Sequence, residues 1–156
     1  MDKQTIKSGH VFWRFTLAVA LGGMVGALLR ESVGQFVSVF ADNENLFVYF
    51  TFATLMVNIV GCLGLGMVTA KRGLAQGEFS IQSEASFLFW SAGVFGALTS
   101  FSAFTQQTGD LWLQYGPIYS LVYVGLSVVL GVLAVSCGFW FYRQRSSSSA
   151  ESLKRE

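Results

Sequence analysis

"GVFGALTSFSAFTQQTGD", residues 93–110, begins as an uncharged apolar run and then sets Thr99, Ser100 and Ser102 beside Phe101 and Phe104. Those hydroxyls fall where the middle of a membrane-spanning helix would lie. Gly93 and Gly96 weaken the helix, and the Thr99 and Ser100 hydroxyls compete for backbone groups that a break sets free. The pattern predicts a helix interrupted between residues 96 and 100. Such a break is tolerated at membrane depth only where protein buries it or where it lines an ion site. There, unwound carbonyls can face a cation and half-helix N-termini can face an anion. Phe101 and Phe104, three apart, share one helical face. Their ring edges are electropositive and can meet an anion without the holding power of an arginine. The same two rings would also serve as ordinary packing in a chain with fifteen phenylalanines.

Outward from this stretch, the composition points the same way. Of 156 residues, 53% are hydrophobic and 12% charged, with one proline and one histidine, which is not the balance of a soluble domain. Four windows, 15–29, 46–70, 85–108 and 115–142, carry no formal charge, and each, with its flanks, can supply the roughly 20 residues that cross a bilayer. The expectation is an all-α membrane protein of four transmembrane helices, with spans near 11–30, 46–70, 85–108 and 115–142 and the third broken near mid-membrane. Residues 1–10 read as a cytoplasmic stub and 143–156 as a disordered cytoplasmic tail. Lys3 and Lys7 ahead of an apolar run, with "AVA" at 18–20, resemble a cleavable leader, but Arg14 interrupts the run, so it reads as the first span. Cys62 and Cys137 fall inside spans and read as small buried side chains, without metal-ligand spacing.

Charge sorts the loops. An even number of spans puts Lys3, Lys7, Arg14, Lys71, Arg72, Arg143, Arg145, Lys154 and Arg155 on one side and leaves only Arg30 on the other. Glu31, Asp42, Glu44 and Asp110 lie with Arg30. The positive-inside rule therefore predicts cytoplasmic termini and a single direction of insertion.

Ionisable groups kept deep in a bilayer mark proton-coupled or catalytic work, and the spans contain none in their interiors. Their polarity is neutral instead: Thr54, Asn58, Thr99, Ser100, Ser102, Tyr123 and Ser127, with Gln106, Gln107 and Thr108 nearer one end. Such groups can replace an ion's hydration without trapping it, which favours passive conduction over enzymatic or pumping chemistry. Asn58 can be interhelical glue or an amide donor to an anion. Gly22 with Gly26, and Gly61, Gly64 and Gly66, read first as close-packing surfaces. Few basic residues in the spans argue against a nucleic-acid partner.

In order and spacing, "GGMVGALLR" (22–30), "TLMVNIVGCLGLG" (54–66), "GVFGALTSFSAF" (93–104) and "YVGLSVVLG" (123–131) resemble the Fluc, or CrcB, fluoride channels. The resemblance implies a four-helix subunit in an antiparallel dimer in the plasma membrane, passively exporting fluoride to relieve its toxicity. It implies a structural, untransported Na+ at the dimer interface, held by the backbone carbonyls of Gly96 and Thr99. Phe101 and Phe104 correspond to the fluoride-path phenylalanines and Asn58 to the pore asparagine. Ser102, Tyr123 and Ser127 correspond to its polar track. Arg30, at the end of span one, reads as a tie between helix ends or an interfacial residue, with a vestibule role as the other option.

The chain departs from the family pattern at Glu31, Ala53, Ala97, Ser100 and Ala103, the last removing a hydroxyl beside Ser102. One-way insertion adds an expectation: a heterodimer with an oppositely oriented paralogue, or otherwise a homodimer. Two other readings stand beside the channel. One is a small proton-coupled multidrug exporter using Glu31; the other is a non-conducting partner subunit of a heterodimeric channel.

Overall fold

The computed structural model describes residues 3–40, 46–74 and 80–152, and all regular structure among them is helical. Asp42 and Glu44, from the acidic set, and Lys154 and Arg155, from the basic set, lie outside the described residues. Helix α1 spans Lys3–Phe40 and α2 Leu46–Leu74. Helix α3, Ile81–Leu88, runs into a π-helical stretch, Phe89–Phe95, and then a short α4, Gly96–Leu98. Helix α5 covers Phe101–Tyr115 and α6 Pro117–Ser152. Four of the resulting rods are long and apolar enough to cross a membrane: Gly9–Phe40, Phe47–Leu74, Ile81–Tyr115 and Pro117–Ser146. Residues 143–152, expected as a disordered tail, instead continue α6; residues 153–156 lie outside the described residues. Likewise the helix begins at Lys3, within the expected stub.

Two crossings hold the bundle. Helix α1 packs on the π-helical stretch, where a Cβ at Gly22 would run into the Phe89 carbonyl and one at Gly26 into that of Val94. Helix α2 packs most extensively on α6, with Gly66 against the Val135 carbonyl and Gly138 against that of Leu63. Glycine at these places lets backbones touch, which is how helices gain van der Waals contact where hydrophobic exclusion is absent. The α5–α6 corner is local chemistry. Gly116 takes φ +98°, its N–H bonds to the carbonyls of Leu111 and Trp112 at 3.1 Å each, and Pro117 opens α6, where its missing N–H costs nothing.

Little is buried within the chain. No span has more than 22% of its apolar window enclosed, and large side chains such as Phe12, Met24, Phe101 and Leu133 point outward. In water such a surface would be untenable; lipid or another subunit must cover it. Cys62 is half-buried, whereas Cys137, expected to be buried, lies on the exposed outer face of α6 because that helix packs through Gly138 instead.

Candidate functional site

The interruption in the third rod lies three to four residues beyond Gly96, which is itself helical at φ −65°, ψ −36°. Thr99 (φ −70°, ψ 145°) and Ser100 (φ −130°, ψ 104°) are extended. Each backbone group this frees can be followed. The Ser100 N–H, which would have closed a helical bond on the Gly96 carbonyl, donates instead to Asn58 Oδ1 at 2.8 Å. Gly96 O is left with a long 3.4 Å contact from the Thr99 hydroxyl, which also donates to Phe95 O at 3.0 Å. Arg30 Nη1 reaches the Ala97 carbonyl at 3.3 Å, tying α1 to the interruption. Ser100 then caps α5, its Oγ accepting from the Ala103 N–H at 3.1 Å.

Three hollows border this region and the bundle ends. The largest, about 580 Å³, is walled by Asn58, Ser100, Ala103 and Gln107 and carries Arg30, Glu31 and Asp110. A second, about 370 Å³, is bounded by Thr99, Ser100, Phe101, Phe104, Ser127 and, again, Asn58. Asn58 and Ser100 thus form the partition between the two. A third, about 290 Å³, lies at the basic end, under Lys71 and Arg72 and above Trp90 and Phe95. At that end Arg72 pairs with Glu84, and Arg14 Nη2 donates to Gln82 Oε1 at 2.7 Å.

Of the residues expected along an ion path, Asn58, Phe101, Phe104 and Ser127 meet at the 370 Å³ hollow. Phe101 and Phe104 lie 5.9 Å apart, and Phe104 is 5.5 Å from Tyr123. Phe101 is 77% exposed, so within one chain only one side of it has protein. Ser102 borders none of the three hollows; its hydroxyl is 3.3 Å from that of Ser100. Tyr123 is buried behind Phe104 and donates to Gln107 Oε1 at 2.9 Å, while Ser127 donates back to the Tyr123 carbonyl at 2.7 Å. The expected hydroxyl track is therefore largely engaged inside the chain. Sequence reasoning named Thr54 and Gln107 only as interior polar groups and gave them no partners, and it did not foresee the capping role of Ser100.

Four membrane-length helices, few buried residues and an interrupted third rod bordered by amide, hydroxyl and aromatic side chains define a multi-pass membrane protein. A family profile described as CrcB-like protein, Camphor Resistance (CrcB), matches residues 17–139, and the chain belongs to that family. It is 36% identical over 129 residues to the fluoride-specific ion channel FluC of Hyphomonas neptunium, covering 82% of this chain and 94% of that one. It is 40% identical over 123 residues to the FluC of Pseudomonas syringae pv. syringae, covering 78% and 91%. A Rhodococcus jostii relative named FluC 2 is 33% identical over 123 residues, covering 79% and 94%.

Proposed function

We infer that the chain is a pore-forming subunit of a fluoride channel that lets fluoride leave the cytoplasm passively across the plasma membrane and so relieves its toxicity. The observation that carries this reading is the orientation of Asn58. With Oδ1 fixed by the Ser100 N–H, the amide's Nδ2 donors remain for the two hollows that Asn58 separates. Phe101 and Phe104 offer ring edges on one side of that partition, and no group there carries a full charge that would hold the ion fast. The names of the relatives supply the identity of the ion.

The channel works as an antiparallel pair whose third span breaks near mid-membrane, with the termini in the cytoplasm. The half-covered Phe101 ring supports a second chain completing the path, and the nine-to-one charge bias supports a heterodimer with an oppositely inserted paralogue. A structural Na+ fits the interruption. The Gly96 carbonyl has lost its helical partner, and the extended Thr99 turns its carbonyl out of the helix. Bound there with the partner's carbonyls, the ion would neutralise converging dipoles and hold the two chains in register.

Fluoride efflux from liposomes, followed with a fluoride electrode, tests the reading on the purified chain, alone and with its paralogue. Efflux only with the partner supports the heterodimer; efflux from the chain alone keeps the channel and removes the obligate partner. Silence in both removes the channel. A topology tag found equally on both faces of the membrane would end the one-way insertion argument.

A further inference from the structure

Two helix faces wall the 290 Å³ hollow at the basic end. One is a stripe of α2 at helical spacing, Gly64, Met67, Val68, Lys71 and Arg72; the other runs along α3 into the π-helical stretch as Ser83, Ser86, Phe87 and Trp90. Polarity changes in the same direction on both. Lys71, Arg72 and the serine hydroxyls stand at the end of the rods, and about a turn deeper come Met67, Val68 and Trp90. A Cβ at Gly64 would run into the Phe95 ring, so glycine there lets that ring close the floor. Helix α3 packs on α1 rather than on α2, which leaves the groove between α2 and α3 open, with the Arg72–Glu84 ion pair across it. One carboxylate does not use up the five N–H donors of Arg72. Lys71 is exposed and has no ion-pair partner among the described residues, so with Glu84 counted the mouth carries one net positive charge there.

We propose that this groove binds an anionic phospholipid, its phosphate held by Lys71, Arg72 and the Ser83 and Ser86 hydroxyls and the first part of an acyl chain lying against Met67, Val68 and Trp90. The order of groups along both walls is the order in the lipid: charge and hydrogen-bond donors, then hydrocarbon. Basic pockets between spans at a membrane face take anionic headgroups, and tryptophan favours that boundary. A free phosphate would satisfy the mouth and leave the apolar walls uncovered, whereas a zwitterionic lipid brings its own cation up to Lys71. The volume, near the lower end of the roughly 300–1,000 Å³ of ligand pockets, suits a headgroup and the start of one chain, the remainder lying in the bilayer. Bound there, the lipid bridges α2 and α3 where they have little direct contact. The site is independent of which ion the protein passes.

The test uses the complete assembly in neutral detergent, with native mass spectrometry counting bound lipid as dioleoylphosphatidylglycerol, dioleoylphosphatidylcholine or inorganic phosphate is added. Phosphatidylglycerol should bind about tenfold more tightly than phosphatidylcholine, the scale set by cations close to a headgroup, and inorganic phosphate should displace it only at far higher concentration. Lys71→Gln should cut the preference to about threefold. Val68→Trp, which fills the apolar part of the groove and keeps both cations, should abolish it; should that variant fail to assemble, Ser86→Asp at the exposed mouth should do the same. Equal binding of the two lipids by the wild type overturns the proposal. A preference that survives Val68→Trp marks diffuse attraction to the basic end and overturns it as well. Displacement by phosphate at equal concentration assigns the site to a free anion, and a wild type that retains no lipid assigns the groove to a partner subunit; either result also overturns the lipid site.

Discussion

The α2–α6 pair and the rod from α3 to α5 are both membrane-length, yet they are held together by different means. In the first, two uninterrupted helices meet through Gly66 and Gly138, backbone against backbone. In the second, the ladder changes to π-helical spacing over Phe89–Phe95, stops at Thr99 and Ser100, and starts again with its own cap. Groups that the regular pair satisfies internally are handed, in the interrupted rod, to side chains of other helices: Asn58 from α2 and Arg30 from α1. Packing in the one secures the fold; redirected hydrogen bonding in the other gathers polar groups of three helices at the interruption. π-Helical stretches often accompany functional sites for the same reason.

If that division is right, substitutions should sort by which pair they touch. The largest effect belongs to Asn58→Asp, which keeps the oxygen that accepts from Ser100 and replaces the NH₂ with negative charge. Flux should fall about a hundredfold, roughly 2.7 kcal/mol of barrier, while the melting temperature in detergent moves little. Gly138→Val should do the reverse. A Cβ there meets the Leu63 carbonyl, so stability should drop by about 2–3 kcal/mol, with flux per folded channel unchanged. Equal losses of flux and stability in both variants would break the comparison.

Ser100→Ala sharpens it. Losing the α5 cap costs about 1 kcal/mol, and because Ser100 shares the Asn58 partition, flux should fall several-fold as well. Smallest of all is Arg72→Gln at the basic end. Its ion pair with Glu84 is partly exposed, so a stability change of about 0.5 kcal/mol and flux within twofold are expected from thermal melts and efflux.

The sequence made the four rods legible because uninterrupted apolar length is a strong signal. Gly22, Gly26 and Gly66 were legible as packing residues because spacing alone brings them to one face. The position of the interruption was readable only to within a few residues. Gly96, the natural suspect, stays helical, since a glycine permits a break without requiring one. What fixes it at Thr99 and Ser100 is a bond to Asn58, 42 residues away, and no local pattern reports that partner. The partners of Gln107 were hidden for the same reason: its three contacts lie on α2 and α6, distant in sequence. The tail misled in another way, because "RSSSS" is a poor helix former locally but extends a long helix already under way.

Among the described residues Arg30 is the sole cation bordering the 580 Å³ hollow, and its guanidinium is drawn inward to the Ala97 carbonyl, while Glu31 and Asp110 line the same hollow. Among the described residues that lining sums to one negative charge, a field that disfavours an approaching anion. Were fluoride to enter by this end, added salt, by screening that field, should speed its capture, which efflux assays at low and high ionic strength would measure.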